Sequence, residues 1–327
     1  MSEELSAPIC PRGQPGADNS ADSERDPVVG AIGVGLLGSA LSATLVERGY
    51  DVVAYDPDPR RIEEHEARGG RGADSIAAAV ADVDVVLLAL PTSDIVREVC
   101  LGPGGIATAA RPGTLVLDAT TARPSDTVAT GRALAEHGIG FVDASVSGSS
   151  AMAWERDIVI MVGGPDDEVA RAGPVLEALA RSVRHVGPLG AGMRTKLVVN
   201  LALGVHRLVL AEALVLGERA GLDPDQLLEV LKDSAAYSKA MDGWGERMVR
   251  GDHDRPRSRI RQHAKDVRLM LDEGDAVGAP LPLATVLAQV LEHADRLGLA
   301  DADNSAVIAV LRNATEVVSP HLPPRAT

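Results

Sequence analysis

A long apolar segment from Gly187 to Gly221 constrains the fold of this chain most. It opens with a glycine-rich approach and then continues without proline or strong turn signals, which predicts one helix of about 40 Å. Leucine, valine and alanine occupy almost every side of that helix from Leu197 to Leu216. A helix that is apolar all round must be buried by its neighbours, so we expect it to connect two domains.

The polar residues in the first turns of this helix indicate a catalytic site. Lys196 and Asn200 lie four positions apart and therefore share one helix face. The partial positive charge of a helix N-terminus, like burial, lowers the pKa of a lysine, which suits a proton-transfer group. Only four of the 32 basic residues are lysines, so arginine serves wherever a plain positive charge is enough. The alternative is an ordinary solvated lysine at a frayed helix start.

Length and composition exclude several classes of function. A chain of 327 residues suggests two domains, and a net charge of −15 at pH 7 argues against nucleic-acid and anionic-membrane partners. Cys10 and Cys100 supply neither a disulfide framework nor the spacing of a zinc site. The N-terminus lacks a signal-peptide pattern, and no membrane-spanning run stands apart from the long helix. We expect a cytoplasmic protein without a metal site.

A glycine-rich turn follows the first predicted strand. Residues 1–26 form a tail rich in Pro, Gly and acidic residues, which predicts disorder. The apolar run 27–34 leads into Gly33-Val34-Gly35-Leu36-Leu37-Gly38, a helix, and a second strand closed by Asp56. Such glycines let the backbone approach a pyrophosphate closely, and the acidic residue accepts from ribose hydroxyls. We predict a dinucleotide site that prefers NAD over NADP, because Asp56 would repel a 2′-phosphate.

Strands and helices alternate through the first half of the chain. We predict further strands at 51–55, 83–90, 115–118, 141–143, 158–162 and 183–186, with helices between most of them. This alternation predicts an α/β fold, a Rossmann-like, doubly wound and mostly parallel sheet over 27–189. Ligands of such sheets bind beyond the carboxyl ends of the strands. Three loops with small polar residues leave those ends, at 90–92, 118–121 and 143–149.

The chain after the long helix is predicted to be helical throughout. The predicted helices are 224–233, 238–250, 260–272, 282–297 and 304–318. The long helix and these segments therefore form an all-α C-terminal domain over 190–318, followed by a loose tail over 319–327. An arginine cluster from Arg255 to Arg261 precedes one of the helices and forms either a solvated, salt-bridged face or an anion site.

Four motifs, taken in order and spacing, resemble the β-hydroxyacid dehydrogenase family, which includes 3-hydroxyisobutyrate dehydrogenase and tartronate semialdehyde reductase. They are the glycine-rich turn from Gly33, Asp143-Ala144-Ser145-Val146-Ser147-Gly148, Gly190-Ala191-Gly192 with Lys196 and Asn200, and Lys265-Asp266. The resemblance spans 27–318. It implies a Rossmann-like domain, a long interdomain helix and a helical domain, assembled as a homodimer or homotetramer largely through the helical part.

The resemblance also implies roles for single residues. Lys196 would act as general acid or base on the reacting oxygen, and Asn200 would orient the substrate. Ser147, Gly148 and Ser149 would hold the substrate's carboxylate. The implied cofactor contacts, besides the glycine-rich turn and Asp56, are Leu90, Pro91, Thr121 and Lys265.

Three departures from the family pattern concern the substrate side. Ser149 stands where many members have a second glycine, Trp154-Glu155-Arg156-Asp157 replaces a small glycine-containing stretch, and Ser258 occupies a place that is often aromatic. The cofactor and the reaction type are therefore better determined than the identity of the substrate.

The function expected from this resemblance is hydride transfer between NAD, or alternatively NADP, and a small anionic 3-hydroxy acid or its semialdehyde. One alternative is an imine-reductase-like member of the superfamily, but such members usually lack the lysine that is present here as Lys196. Another is a non-catalytic nucleotide-binding regulatory protein. The presence of Lys196, Asn200 and Lys265 argues against that alternative.

Overall fold

The computed structural model describes residues 26–313. The predicted tails over 1–26 and 319–327, apart from Asp26, and the predicted helix beyond 313 lie outside these residues. The described chain divides into two compact units, each with its own buried apolar side chains. The first unit comprises 26–120, 128–148 and 152–192, and the second comprises 121–127, 149–151 and 193–313.

Within residues 26–313, eight strands form one sheet in the order β3-β2-β1-β4-β5-β6-β7-β8. The strands are β1 (Val29–Ile32), β2 (Val52–Tyr55), β3 (Arg71–Gly72), β4 (Val85–Leu88), β5 (Leu115–Asp118), β6 (Gly140–Ser147), β7 (Val159–Gly163) and β8 (Ser182–Gly187). Neighbouring strands are parallel except β6 and β7, which are antiparallel. The predicted Rossmann-like, mostly parallel sheet is confirmed.

Helices cover both faces of this sheet. They are α1 (Leu36–Glu47), α2 (Pro59–Glu66), α3 (Ile76–Val80), α4 (Ser93–Leu101), α5 (Ile106–Ala109), α6 (Pro124–Ala135), α7 (Ser150–Trp154) and α8 (Asp166–Leu179). On β1, Val29 and Ala31 belong to the apolar cluster that includes α1 and α8, whereas Ile32 belongs to the cluster on the other face. Successive strand residues point to opposite faces, so a strand covered on both sides must be apolar throughout.

Strand β6 is longer than predicted. The sequence pattern predicts that this strand ends at Asp143 and that 143–149 form a loop. In the structure the strand continues to Ser147. Its additional residues pair with β7, from Asp143 opposite Gly163 to Ser147 opposite Val159. The loop prediction was wrong because the antiparallel partner satisfies the backbone of these small residues, and local sequence does not reveal that partner.

The second unit is helical, as predicted. Its helices are α9 (Ala191–Arg219), α10 (Pro224–Asp233), α11 (Glu246–Arg250), α12 (Ile260–Val277), α13 (Pro282–Arg296) and α14 (Val307–Asn313). Among the described helices, α9 is the one long and apolar enough to cross a membrane, a property that core helices of soluble proteins share. The segment predicted over 238–250 is helical from residue 239, but Met241–Gly245 form a π-helix that continues directly into α11. Gly245 packs against Leu228 so closely that an added Cβ would lie 2.6 Å from that side chain.

Within residues 26–313, α9 is not covered on all sides. Val198, Val209 and Leu216 are 66%, 55% and 72% exposed, respectively. Val198 and Val209 lie 11 positions apart, and Val209 and Leu216 lie 7 positions apart, so all three share one face of the helix. Leu210 and Leu214 are buried in the core of the helical unit. The helices of the described residues cover only part of the surface of α9, which leaves an apolar stripe.

We predict that a second copy of the chain covers this stripe, so that the protein is at least a dimer, because contiguous exposed apolar surface usually marks an interface. Light scattering over a concentration series should give the mass of a dimer or a larger oligomer. A double variant, Val209→Asp with Leu216→Asp, should shift the mass toward the monomer, whereas Glu212→Gln in the same helix should not. A wild-type monomer at micromolar concentration would contradict the prediction.

Candidate active site

The glycine-rich turn joins β1 to α1. Gly33 has φ +85°, and a Cβ there would lie 2.7 Å from the carbonyl oxygen of Ala89. A Cβ on Gly38 would lie 1.9 Å from the carbonyl oxygen of Gly33, so the helix packs directly on the turn. The N-cap of α1 is Gly35, so no N-cap side chain occupies the first turn at Leu36 and Leu37. The turn therefore leaves helix N–H groups for an anion, and a pyrophosphate fits this arrangement.

Asp56 lies beside this turn, directly after β2. Its Oδ2 accepts from the backbone N–H of Val34 at 3.0 Å, and its Oδ1 accepts from that of Asp58 at 3.0 Å. A cavity of about 460 Å³ adjoins it, lined by Tyr55, Asp56, Pro57, Pro59, Ile62, Glu63, Ala73 and Asp74. The cavity combines apolar walls with three carboxylates, which suits an adenosine whose ribose hydroxyls are free. Arg61 is the nearest cation, with its Nη1 3.7 Å from Asp56 Oδ2.

The loops after β4 and β5 are tied together. Thr120 Oγ1 accepts from the backbone N–H of Leu90 at 3.0 Å, and Asp118 Oδ1 accepts from that of Thr120 at 2.9 Å. The Leu90 side chain lies beside Gly33, where a Cβ would be 2.9 Å from Leu90 Cδ2. Burial and the neighbouring Asp143 carboxylate raise the pKa of Asp118 to about 7, against the hydrogen bonds from Thr120. Leu90 and the following Pro91 are therefore held at the turn by a buried carboxyl that sequence reasoning did not single out.

The end of β6 carries the residues predicted to bind substrate. Ser147 is half-buried, and Gly148 follows with φ +148°, where a Cβ would meet Ile158 Cγ2 at 2.6 Å. At the start of the same motif, Asp143 Oδ1 accepts from the backbone N–H of Gly190 at 2.7 Å. Ser147 and Gly148 belong to the first unit, whereas Ser149 belongs to the second.

The second unit brings together the predicted catalytic residues. Asn200 Nδ2 donates to Asp266 Oδ2 of α12 at 3.1 Å, and Lys265 Nζ lies 3.1 Å from Asp266 Oδ1. Lys265 Nζ also donates to the carbonyl oxygen of Thr121 at 2.7 Å. Asp266 therefore contacts both Asn200, which is predicted to orient the substrate, and Lys265, which is predicted to contact the cofactor. Its role could not be predicted, because only packing of α9 against α12 pairs it with Asn200.

Lys196 lies one helical turn before Asn200 on α9 and is half-buried. Among residues 26–313, its Nζ has no hydrogen-bond partner and no carboxylate within 4 Å. Burial, together with the charges of Arg207 and Lys265, lowers its pKa to about 8, against the attraction of Asp266. The side chain can therefore be either an ammonium or an amine near neutral pH, which is the condition for a general acid or base.

The arginine cluster at Arg255–Arg261 is partly engaged in ion pairs. Arg259 and Arg261 both pair with Asp301. The Arg257 guanidinium donates to the carbonyl oxygen of Gly243 at 3.4 Å. These contacts match the solvated, salt-bridged face, which was one of the two alternatives that the sequence left open.

Two protein-family models match successive parts of the chain. The model of the NAD binding domain of 6-phosphogluconate dehydrogenase matches residues 28–187. The model described as NAD-binding of NADP-dependent 3-hydroxyisobutyrate dehydrogenase matches residues 190–311. Together they cover nearly all of the described residues.

Relatives and solved structures match over almost the whole chain. 2-(Hydroxymethyl)glutarate dehydrogenase of Eubacterium barkeri is 35% identical over 295 residues, which are 90% of this chain and 98% of that protein. L-threonate dehydrogenase of Cupriavidus necator is 34% identical, covering 86% of this chain and 95% of that protein. The structure of Mycobacterium tuberculosis 3-hydroxyisobutyrate dehydrogenase with L-serine superposes with a TM-score of 0.80 at 32% identity, over 88% of this chain and 99% of that one. These similarities place the chain in the β-hydroxyacid dehydrogenase family, as an NAD(P)-dependent oxidoreductase that acts on the CH–OH group of small 3-hydroxy acids.

Proposed function

We propose that Lys196 is the proton-transfer group of this dehydrogenase and that Asn200 orients the substrate beside it. The observation that carries the proposal is a lysine with a pKa of about 8, on the same helix face as Asn200. During oxidation, the Lys196 amine would take the hydroxyl proton, and during reduction its ammonium would return a proton to the carbonyl oxygen. The nicotinamide, when bound, accepts or supplies the hydride. Asp266 would hold the Asn200 amide in place through its hydrogen bond at 3.1 Å.

We propose that the substrate is a small anionic 3-hydroxy acid or its semialdehyde. The hydroxyls of Ser147 and Ser149 and the backbone N–H of Gly148 offer donors for a carboxylate. Thr121 and Lys265 would lie on the cofactor side. The names of three similar proteins supply candidates, which are 2-(hydroxymethyl)glutarate, L-threonate and 3-hydroxyisobutyrate.

A spectrophotometric screen tests this function. The three acids are offered with NAD⁺ and the matching semialdehydes or keto acids with NADH, beside the neutral amide of 3-hydroxyisobutyrate as a control. We expect turnover of at least one acid and little turnover of the amide, because the carboxylate supplies the binding energy that aligns the substrate. Equal turnover of acid and amide would refute the anion requirement. NADH binding without turnover of any acid would favour the non-catalytic alternative, and turnover of cyclic imines alone would favour the imine-reductase alternative.

We predict that kcat/KM favours NAD over NADP by at least about tenfold, which corresponds to about 1.4 kcal/mol. Asp56, Glu63 and Asp74 line the cavity beside the glycine-rich turn, and their carboxylates would repel a 2′-phosphate. Arg61 opposes this effect but is drawn toward Asp56. The ratio should fall in Asp56→Ala and stay near the wild-type value in Asp82→Ala, an exposed aspartate outside the cavity. A wild-type ratio that favours NADP would refute the prediction.

We propose a homodimer or homotetramer on the basis of the apolar stripe on α9, and a cytoplasmic location on the basis of cysteine usage. The acidic net charge of −15 continues to argue against nucleic-acid and anionic-membrane partners.

A further inference from the structure

A third polar residue, Arg207, lies on the face of α9 that carries Lys196 and Asn200. It follows Lys196 by 11 positions, about 20° from it around the helix and about 16 Å along the axis. Long side chains on a helix lean back toward its N-terminus, which is the direction of Asn200 and Lys196. The charge of Arg207 lowers the pKa of Lys196, so the two side chains, both in the second unit, interact electrostatically.

Arg207 is buried without an anionic partner. The residue is 5% exposed, and burial lowers its pKa to about 10. Within the described chain, no carboxylate lies within 4 Å of its guanidinium and no acceptor lies within hydrogen-bond distance. The Trp244 ring lies beside it, with 4.8 Å between the guanidinium carbon and the ring centroid. A largely buried cation that forms no hydrogen bond to the described residues is costly, so this guanidinium indicates a site that a ligand completes.

Two more polar groups near this turn of α9 lack partners. Trp244 Nε1 and His263 Nε2 are buried and have no hydrogen-bond partner among residues 26–313. A Cβ on Gly204, one turn before Arg207, would lie 2.6 Å from His263 Nε2, so the ring lies against α9 here. Burial, together with the charges of Arg207 and Lys196, holds the pKa of His263 well below its usual value. The neutral ring can therefore carry its proton on Nε2 and act as a donor.

The charges around Arg207 leave a positive surplus. Asp266 already accepts from Asn200 and pairs with Lys265. The other carboxylate that acts on Arg207, Asp303, accepts from the Arg247 guanidinium at 3.2 Å and the Arg257 backbone N–H at 2.8 Å. Lys196 and Arg207 therefore remain as two cations on one helix face with no carboxylate of residues 26–313 within 4 Å.

We propose that Arg207, Trp244 and His263 form a binding site for a second carboxylate of the substrate, so that the preferred substrates are dicarboxylic 3-hydroxy acids. The proposal rests on the proposed role of Lys196 at the reacting carbon. A guanidinium binds a carboxylate in its own plane through two parallel hydrogen bonds, and stacking on an indole ring leaves that edge free. Trp244 belongs to the π-helix at Met241–Gly245, and such helical irregularities often occur at functional sites.

The test compares 2-(hydroxymethyl)glutarate, which has two carboxylates, with 3-hydroxyisobutyrate, which has one. The readout is the ratio of kcat/KM for the two acids in wild type and variants. Arg207→Gln should lower this ratio about 10²-fold, the upper scale for a hydrogen bond to a charged group. Trp244→Phe keeps a ring beneath the guanidinium but removes the Nε1–H donor, so the ratio should fall roughly fivefold. Arg219→Gln, at the exposed end of the same helix, should leave the ratio unchanged.

Inhibition and binding give a second readout that needs no turnover. Glutarate should inhibit competitively and raise the melting temperature of the wild type more than butyrate does, and Arg207→Gln should lose this difference. A wild type that prefers the monocarboxylate, or a folded Arg207→Gln variant with an unchanged ratio, overturns the proposal. Inhibition by chloride with no preference for dicarboxylates also overturns it, because the site then takes only a small free anion.

The experiment separates this proposal from the proposed function. Turnover of 3-hydroxyisobutyrate without a preference for the dicarboxylic acid removes the second-carboxylate site and leaves the dehydrogenase intact. If neither acid is turned over, the proposed function fails, and glutarate binding that depends on Arg207 still supports the site. If Arg207→Gln does not fold, an unchanged ratio in Trp244→Phe together with equal binding of glutarate and butyrate overturns the proposal.

Discussion

Replacing Lys196 by alanine should lower kcat by roughly 10²-fold or more, the usual scale for a positioned general acid or base. The affinity for NADH should change little, because the glycine-rich turn and Asp56 lie in the other compact unit. Lys196→Arg is the more specific variant, since it keeps the positive charge but supplies a group that cannot lose its proton. Its kcat should therefore fall as well. Stopped-flow or steady-state absorbance of NADH measures both effects.

The pH dependence of the wild type tests the same group. Oxidation needs the neutral amine of Lys196, so kcat/KM for the hydroxy acid should rise with pH and level off above the pKa of about 8. Reduction needs the ammonium, so kcat/KM for the semialdehyde should fall as the pH rises through the same value. The two profiles should therefore slope in opposite directions and share one midpoint.

Lys232 provides a control for the Lys196 variants. Lys232→Ala removes another of the four lysines, one that pairs with Glu229 on α10, and should leave kcat unchanged. A Lys196→Arg variant with near-native kcat would mean that the residue acts only as a fixed positive charge. Native turnover in Lys196→Ala would show that the lysine is structural.

Replacing Gly38 by alanine should weaken NADH binding at least about tenfold and lower the free energy of unfolding by about 1–3 kcal/mol, the usual scale for forcing atoms into a packed site. The new Cβ would lie 1.9 Å from the Gly33 carbonyl oxygen and 3.1 Å from Ala89 Cβ, so the backbone of the turn must move. That movement displaces the helix N–H groups that would hold the pyrophosphate. NADH fluorescence titration and urea denaturation measure the two effects.

Gly173→Ala is the matched control for that variant. Gly173 lies within α8, and a Cβ there would meet no atom within 4 Å apart from its two chain neighbours and the nearby backbone of the helix. Alanine should therefore leave NADH affinity unchanged. Unchanged NADH affinity in Gly38→Ala would refute the proposed place of the pyrophosphate.

Local sequence predicted the elements whose signals lie within a few residues. The strand at Leu115–Asp118 and the helix at Pro224–Asp233 have the predicted bounds, since an apolar run in the first and a proline start with amphipathic spacing in the second define them. The π-helix at Met241–Gly245 and the end of β6 were missed. Both depend on what packs or pairs against them, and no short window of sequence contains that partner.

The sequence by itself determined the α/β fold class, the glycine-rich turn with Asp56, and the helix face that carries Lys196 and Asn200, because backbone sterics and helix periodicity decide these locally. Only the tertiary structure decided which groups meet across elements. It paired Asn200 with Asp266, held Lys265 on the Thr121 carbonyl oxygen and left Arg207 buried beside Trp244 without an anion. An arginine in an arginine-rich sequence carries no signal of its own, since burial and the absence of a partner are properties of packing.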